Sequence, residues 1–588
     1  MLIAYDLETT RIAAGTPRLL YVTAHGATMR LSMPITGDNR LQTYCNILET
    51  YFLIPEHNKA KMVAWNGNNF DVYFTALALL KSDNWIIQPY LTASKALRGM
   101  MVKSKNKVKI RGKMRVLQFQ FLDGISMTGL MGKSLRAFLQ TFAPDLPKLN
   151  IGNMDEVDFD IYNPRHIKYA ERDSEGLYKG MSRVQEIIND LTKPLDLKDK
   201  WETPLKPTIG NLAVNFFMDN APVDKPLNIP HGALQDILHG PVKRGGFCWC
   251  MKQYTGPVWK YDINQAYAAA MRDAALPAGI CEKTEKFWND VPGIYEVTFF
   301  RKQKSKIPFY YKIETDNIGR FSLGEKPITT WLTSIEIKHL LKQGWAVTVH
   351  YGYAWDDSFN FAPIVERLEK LRLSDPQGPS GPLGTMVKAI GNNAYGKTLE
   401  RLNGLDLVLA RECPKGFDVL NPFDDDSMIF VRTHKAFYKN YHLPQVGIFV
   451  TAHVRCQVRD AALKAPDHFL YADTDCVVFS KPVKLDIHPT RYGAWKVEAE
   501  GVPYIIIGKK IYYGDDGSTK AKGLRTKELT KDNYLTWLNK LPEQEQVQRQ
   551  NFLKFIAGES MFKMQKRTGT DVKQSKIYGV KNGEYIPN

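Results

Sequence analysis

The sequence predicts a multidomain protein of mixed α/β and α+β class. Three observations carry this. The chain has 588 residues, more than one hydrophobic core holds, so about three or four domains are expected. Its amino-terminal third interleaves strand-like and helix-like apolar patterns. Later segments set short apolar strands around polar turns, as antiparallel sheets do. The hydrophobic fraction of 44% is ordinary for a globular protein.

Met1 to Thr10 reads as an apolar strand. Asp6 and Glu8 share one of its faces, because residues i and i+2 point the same way. Trp65-Asn66-Gly67-Asn68-Asn69-Phe70-Asp71 brings another carboxylate to the start of an apolar helix, Val72 to Leu80. Tyr169 and Asp173 stand at i and i+4 on a further helix. Taken singly, these are a solvated strand edge and ordinary helix charges. Together, four carboxylates and a phenol from three segments match what two-metal phosphodiester hydrolysis needs. There one ion activates water and the other steadies the leaving oxygen. Between these segments, Lys103, Lys105, Lys107, Lys109, Arg111, Lys113 and Arg115 alternate with other residues, as in a β-ribbon with one basic face. A solvated edge strand is the competing reading.

Val258 to Asp262 is a short apolar strand ending in a carboxylate, and an Ala-rich helix is expected over Ile263 to Met271. Tyr267 lies in its first turns, either as a core aromatic or as a wall against a nucleotide sugar. In Met386 to Lys397, Lys388, Asn392 and Tyr395 are spaced i, i+4, i+7 and line one helix face. Lys, amide and phenol suit a triphosphate and a base pair; a solvated face is the alternative. Tyr471-Ala472-Asp473-Thr474-Asp475-Cys476 sits between apolar runs and reads as a tight hairpin. Its two carboxylates either share a strand face or share the turn. Close carboxylates repel unless cations sit between them, and magnesium takes one or two carboxylates plus substrate phosphates.

In order, D-x-x-x-x-Y, K-x-x-x-N-x-x-Y-G and Y-x-D-T-D resemble the three polymerase motifs of family-B DNA polymerases. The resemblance implies that Asp262 and Asp475 hold two Mg2+ or Mn2+ ions, with Asp473 beside them. It makes Tyr267 a barrier to ribonucleotides and Lys388 a holder of the incoming dNTP, with Asn392 and Tyr395 beside it. Lys510-Ile511-Tyr512 resembles the K-x-Y motif, which places Lys510 and Tyr512 on the primer strand. The amino-terminal segments resemble the D-x-E, N-x-x-x-F-D and Y-x-x-x-D motifs of proofreading 3′–5′ exonucleases. Asp6, Glu8, Asp71 and Asp173 would hold a second pair of ions, aided by Tyr169 and by Lys148 of a K-x-x-h motif. Thr9, Asn66 and Phe70 would hold the frayed primer end. Ser134 and Leu135 begin a segment that resembles the single-strand-binding motif S/T-L-x-x-h.

The family is identified more narrowly as the protein-primed, φ29-like polymerases of phages and linear plasmids. That resemblance implies a ribonuclease-H-like exonuclease domain followed by a right-hand polymerase with two insertions. The exonuclease domain spans 1–192 and the palm 193–273 and 441–535. The first terminal-protein region spans 274–357, the fingers 358–400, the second such region 401–440 and the thumb 536–588. Leu420 to Asp426 would be the turn-rich tip of the second insertion. The implied partners are template and primer DNA and a terminal protein that primes, with Arg301 to Lys306 a candidate contact for that protein or for DNA; the implied activity is strand-displacing synthesis on a linear genome by a monomer. The alternatives are a conventionally primed polymerase and an inert nucleic-acid-binding protein. Departures occur at Gln265, Ala268, Asn393 and Cys476. In the Y-x-G-G motif, Lys243 stands for Tyr ahead of Gly245 and Gly246, glycines that the family places against DNA.

Net charge is +17, which favours a polyanionic partner. Among seven Cys, Cys248 and Cys250 are too close for zinc-finger spacing, and no second cluster completes a zinc site. The odd count suggests a reducing compartment. The start lacks a basic leader pattern, and no uncharged apolar run is long enough for a membrane. The host cytoplasm is the expected location.

Overall fold

The structure is a computed structural model. It describes residues 1–11, 15–92, 96–151, 158–192, 204–313, 319–400, 405–424, 427–433, 439–570, 579–581 and 584–586. Strand Leu2–Thr9 pairs antiparallel with Leu19–Gly26 and parallel with Lys61–Ala64. Alternation sends Ile3, Tyr5 and Leu7 into one core. Ala4 turns to the other side, into a core shared with Leu177 and Met181 of the long helix Pro164–Thr192. Asp6 and Glu8 have the parity of Ala4, so they face that helix.

This sheet has ten strands, and three come from far along the chain. Leu405–Ala410, Ser427–Thr433 and Asp418–Asp424 extend it, with Leu409 opposite Ile87 of strand Trp85–Leu91. Residues 405–433 thus supply one edge of the amino-terminal sheet. Residues 420–424, expected in a loop tip, lie in strand Asp418–Asp424, where Val419 pairs with Phe430 in the ladder. Asp425 and Asp426 fall outside the described residues.

The basic stretch forms a long hairpin, Leu97–Ile110 with Lys113–Asp123. Its neighbour Trp85–Leu91 ends its pairing at Ser104, so the distal part is a two-stranded ribbon. Lys107 pairs with Val116 and Lys109 with Met114, whereas Arg115 pairs with Val108 and Lys113 with Ile110. Residues directly opposite share a face. The expectation of one basic face is therefore wrong: cations occupy both faces.

A seven-stranded antiparallel sheet carries the later motifs. At its centre, Tyr254–Ile263 lies between Trp495–Gly508 and Cys476–Phe479. Phe469–Thr474 and Phe247–Cys250 follow towards one edge. The helix expected from Ile263 begins later, at Ala266–Asp273. Asp262 and Ile263 stay in the ladder, and Gln265 takes a left-handed conformation, φ +49°, that reverses the chain into the helix.

Helices Ala362–Leu373 and Pro382–Thr398 form a hairpin. The carboxylate of Asp375 accepts from the amides of Gln377 and Gly384, both at 2.8 Å, and so fixes its bend. Residues 276–359 add a four-stranded sheet and helix Ser334–Lys342. Near the carboxy terminus, Phe552 and Phe555 of a short helix pack into the amino-terminal core beside Tyr73 and Phe74. Farther on, Tyr585 pairs with Phe321 of strand Gly319–Ser322. Among the described residues, no helix is long and apolar enough to cross a membrane.

Candidate active sites

The hairpin at Asp473 to Asp475 is closed by a three-residue turn. The amide of Asp475 donates to the carbonyl of Asp473 at 2.8 Å, and Thr474 sits at φ +69°. The two carboxylates therefore share a turn, the second of the two arrangements open from sequence. Cys476 lies opposite Asp262, and the amide of Ile263 donates to the carbonyl of Asp475 at 2.9 Å. Asp262 and Asp475 are thus held side by side by the backbone ladder. Burial, then Asp475 and Glu498, push the Asp262 carboxyl up to about 7. Burial also raises that of Asp475, while Lys388 opposes the rise.

Lys388 comes from the helical hairpin and is near enough to act on both carboxylates. On the same helix, Tyr395 stacks on Tyr267, with centroids 4.2 Å apart and planes at 18°. Asn392 has a buried side-chain oxygen without a hydrogen-bond partner. Lys510 reaches Asp473 at 3.1 Å, and its amide donates to the Tyr471 hydroxyl at 3.2 Å. The Tyr512 ring is buried below Lys260, 5.9 Å from its ammonium group. Sequence reading missed Glu498, which is ion-paired with Lys260 at 3.3 Å and Lys496 at 2.8 Å. Only the sheet register, with Lys496 opposite Asp262, brings Glu498 near.

At the amino-terminal centre, the helix carrying Asp71 puts that carboxylate beneath the first strand. The amide of Leu7 donates to Asp71 Oδ1 at 3.1 Å. Burial and the other carboxylates raise Glu8 and Asp71, and burial with Asp173 pushes Asp6 up to about 7. Lys148 pairs with Asp173 and lies 4.4 Å from the Tyr169 ring centroid. Burial works against its charge, but Asp173 and Tyr169 more than offset this and raise its pKa. Arg136 anchors the Lys148 segment through the carbonyls of Lys148 and Leu149, each at 3.4 Å.

The accessory residues are placed less directly. Asn66 is left-handed, φ +62°, immediately before the turn that delivers Phe70 and Asp71. Phe70 meets Phe74 edge-on. The Thr9 hydroxyl donates to the carbonyl of Thr10 at 2.9 Å. Ser134 caps helix Leu135–Phe142 by accepting from Ala137, and Leu135 packs on the core. Asp123, another carboxylate the sequence reading passed over, is a buried helix cap bonded to Ser126. Of the six left-handed non-glycine residues among those described, four, Asn66, Gln265, Thr474 and Lys510, lie within these motifs. Strained backbone of this kind clusters at functional sites.

Among the described residues, no three His, Cys, Asp or Glu side chains converge into a ready metal cage. The donors still fit a hard divalent cation. They are all carboxylate oxygens, and magnesium needs only one or two of these because it keeps waters. The buried Oδ1 of Asp173 has no hydrogen-bond partner. Repulsion within each group is the kind a cation relieves.

Residues 160–410, which include Asp173, Asp262 and Lys388, match the family model described as DNA polymerase type B, organellar and viral. The DNA-directed DNA polymerase of Enterobacteria phage PRD1 is 23% identical over 383 residues, 62% of this chain and 65% of that protein. The DNA polymerase of Streptococcus phage Cp-1 is 25% identical over 280 residues, 44% of this chain and 47% of that protein. Over residues 160–410 the chain is similar to type-B DNA polymerases of the organellar and viral type. The matched part thus spans about half to two thirds of these curated relatives. The φ29-like fold extends further. Phi29 DNA polymerase superposes with a TM-score of 0.69 at 16% identity, over 97% of this chain and all of that one. Its complex with primer-template DNA and incoming nucleotides gives 0.68 at 15% identity.

The basic residues outside these motifs are used in two ways. Lys304 pairs with Glu325 at 3.5 Å and Lys306 with Asp467 at 2.8 Å. Half of the Arg301 to Lys306 cluster is therefore ion-paired at the surface of the chain. A cavity of about 1220 Å³ separates the amino-terminal sheet, the helical hairpin and residues 439–441. Arg98, Lys206, Asn215, Lys397 and Lys439 are among its lining residues.

Proposed function

We propose that the chain is a DNA-directed DNA polymerase with its own 3′–5′ exonuclease, protein-primed and strand-displacing, that copies a linear viral or plasmid genome. The observation that carries this reading is the backbone ladder that sets Asp262 beside Asp475, beneath Lys388 and the Tyr267–Tyr395 stack. Asp262 and Asp475 would hold the metal pair, which supplies Lewis acidity for attack by the primer hydroxyl and for departure of pyrophosphate. Lys388 contributes charge for the triphosphate. The Tyr267 ring closes the space beneath the sugar, where a 2′-hydroxyl would lie. Lys510, held at Asp473, faces the primer end.

In the second centre Asp6, Glu8, Asp71 and Asp173 would hold the metals for hydrolysis. Lys148 and Tyr169 would position the attacking water, and Lys148 would bring positive charge to the scissile phosphate. The cavity beside the hairpin has the size and basic lining for a single template strand, with the second insertion closing one wall. The first insertion is the seat for a priming protein. The test mixes the chain with primed single-stranded DNA, dNTPs and magnesium, and separately with its cognate terminal protein and one labelled dNTP. Primer extension and a covalent protein–nucleotide adduct are expected. Extension without an adduct makes conventional priming the better reading; neither product refutes the polymerase assignment.

A further inference from the structure

A buried ion network runs from residues 276–359 to the hairpin turn; Arg244 is the variable position of the Y-x-G-G segment, and Glu336 and Arg455 lie outside every sequence motif. Glu336 is 1% exposed. Its carboxylate accepts from Arg244 at 2.6 Å and from Arg455 at 2.8 and 3.3 Å. It also caps its own helix, accepting from the amide and hydroxyl of Thr333 at 3.1 and 3.0 Å. Burial opposes its charge, but the two guanidinium groups more than offset this and hold its pKa below the usual range.

Arg455 does more than neutralise Glu336. Its other nitrogen donates to the carbonyls of Arg244 at 2.7 Å and Gly245 at 3.1 Å. The next residue, Gly246, touches the hairpin turn. A Cβ there would come within 2.8 Å of Thr474 Cγ2 and 2.9 Å of Thr474 Cα. The chain then enters strand Phe247–Cys250, where Phe247 pairs with Thr474 and Cys248 with Asp473. A planar fork can fix two consecutive carbonyls and a carboxylate together, which apolar packing cannot do.

We propose that Glu336 is a positioning residue for the polymerase carboxylates. By orienting Arg455 it fixes the carbonyls of Arg244 and Gly245, seats Gly246 against Thr474, and so aims Asp473 and Asp475. The first insertion thereby acts on the polymerase centre through this network, whatever it binds on its outer face. The proposal rests on the polymerase reading, which wild-type primer extension tests on its own.

The experiment compares Glu336→Gln and Arg455→Lys with wild type in primer extension and in degradation of single-stranded DNA. Glu336→Gln removes the charge that orients Arg455. Arg455→Lys keeps a cation on Glu336 but cannot reach both carbonyls. For each, the rate of nucleotide incorporation should fall at least tenfold with the dNTP KM within twofold. The magnesium concentration for half-maximal extension should rise at least threefold. Degradation, in a separate sheet of the same molecule, should stay within twofold and its magnesium requirement should not move. Gly246→Ala, which crowds Thr474 with the network intact, should reproduce the raised magnesium requirement. Unchanged extension in Arg455→Lys, or a proportional loss of both activities with no shift in magnesium requirement, overturns the proposal. If Glu336→Gln loses degradation as well, Arg455→Lys and Gly246→Ala decide.

Discussion

At the amino-terminal centre a cation is built in: Lys148 sits on Asp173 and against Tyr169, held there by Arg136. At the carboxy-terminal centre Lys510 pairs with Asp473, while Asp262 and Asp475 have no ion-pair partner among the described residues. Lys388 acts on them from across the site. The first centre draws four carboxylates from three elements and balances part of their charge itself. The second places its carboxylates on one rigid ladder and leaves the balance to what arrives. On the proposed function, a site that admits a frayed strand and cleaves it would need little more than position. A site that must wait for the correct nucleotide gains by staying incomplete until that nucleotide brings its phosphates and metal.

The largest expected effect separates the centres outright. Asp475→Asn should lower primer extension by roughly a thousandfold, given several kcal/mol of metal-borne charge stabilisation and about 1.4 kcal/mol per factor of ten. Degradation of single-stranded DNA by the same variant should be unaltered; extension near the wild-type rate rules out the assignment. Asp6→Ala with Glu8→Ala is the mirror case, measured on a mismatched primer. Degradation should fall by about the same order while extension persists.

Lys148→Met sharpens the contrast, because it removes the built-in cation and leaves the carboxylates. Degradation should drop roughly a hundredfold, the lower range for a group assisting proton and charge transfer. Extension should be untouched, and equal loss of both would show that Lys148 serves folding instead. Tyr267→Val should reduce discrimination against ribonucleotides by roughly tenfold to a hundredfold, the range one pocket contact is worth. Competition between labelled ATP and dATP reads this directly, and unchanged selectivity moves the barrier elsewhere. The mildest effect belongs to the second insertion. Replacing 401–440 by a short flexible linker should shorten products on nicked duplex severalfold while single-nucleotide addition continues. Equal product lengths would detach that insertion from strand displacement.

The carboxylates were legible because strand parity and helical spacing are local. Asp6 with Glu8, and Tyr169 with Asp173, can be placed from a few residues of context. The turn at Thr474 could be narrowed only to two arrangements, since the choice depends on a backbone hydrogen bond. The helix after Asp262 was placed too early: Ala-rich propensity competes there with a ladder made by strands more than 200 residues away. Glu498 and the Arg244–Glu336–Arg455 network were invisible for a related reason. Each residue looks like an ordinary surface charge until the chain is folded. The basic ribbon shows a subtler failure, because alternation along one strand gives no hint of which residues the returning strand puts opposite.

The attachment of residues 405–433 to strand Trp85–Leu91 has a consequence for the nascent chain. That strand leaves the ribosome about three hundred residues before its neighbour Leu405–Ala410. At 5–20 residues per second the delay is roughly fifteen seconds to a minute. Throughout it, one side of an otherwise finished sheet exposes unpaired amides and carbonyls, the template on which chains join one another. Pro89 removes one donor from that strand, and Lys103, Lys105 and the rest of the basic ribbon stand beside it. Like-charged ribbons on two unfinished molecules repel, which opposes pairing between their open edges.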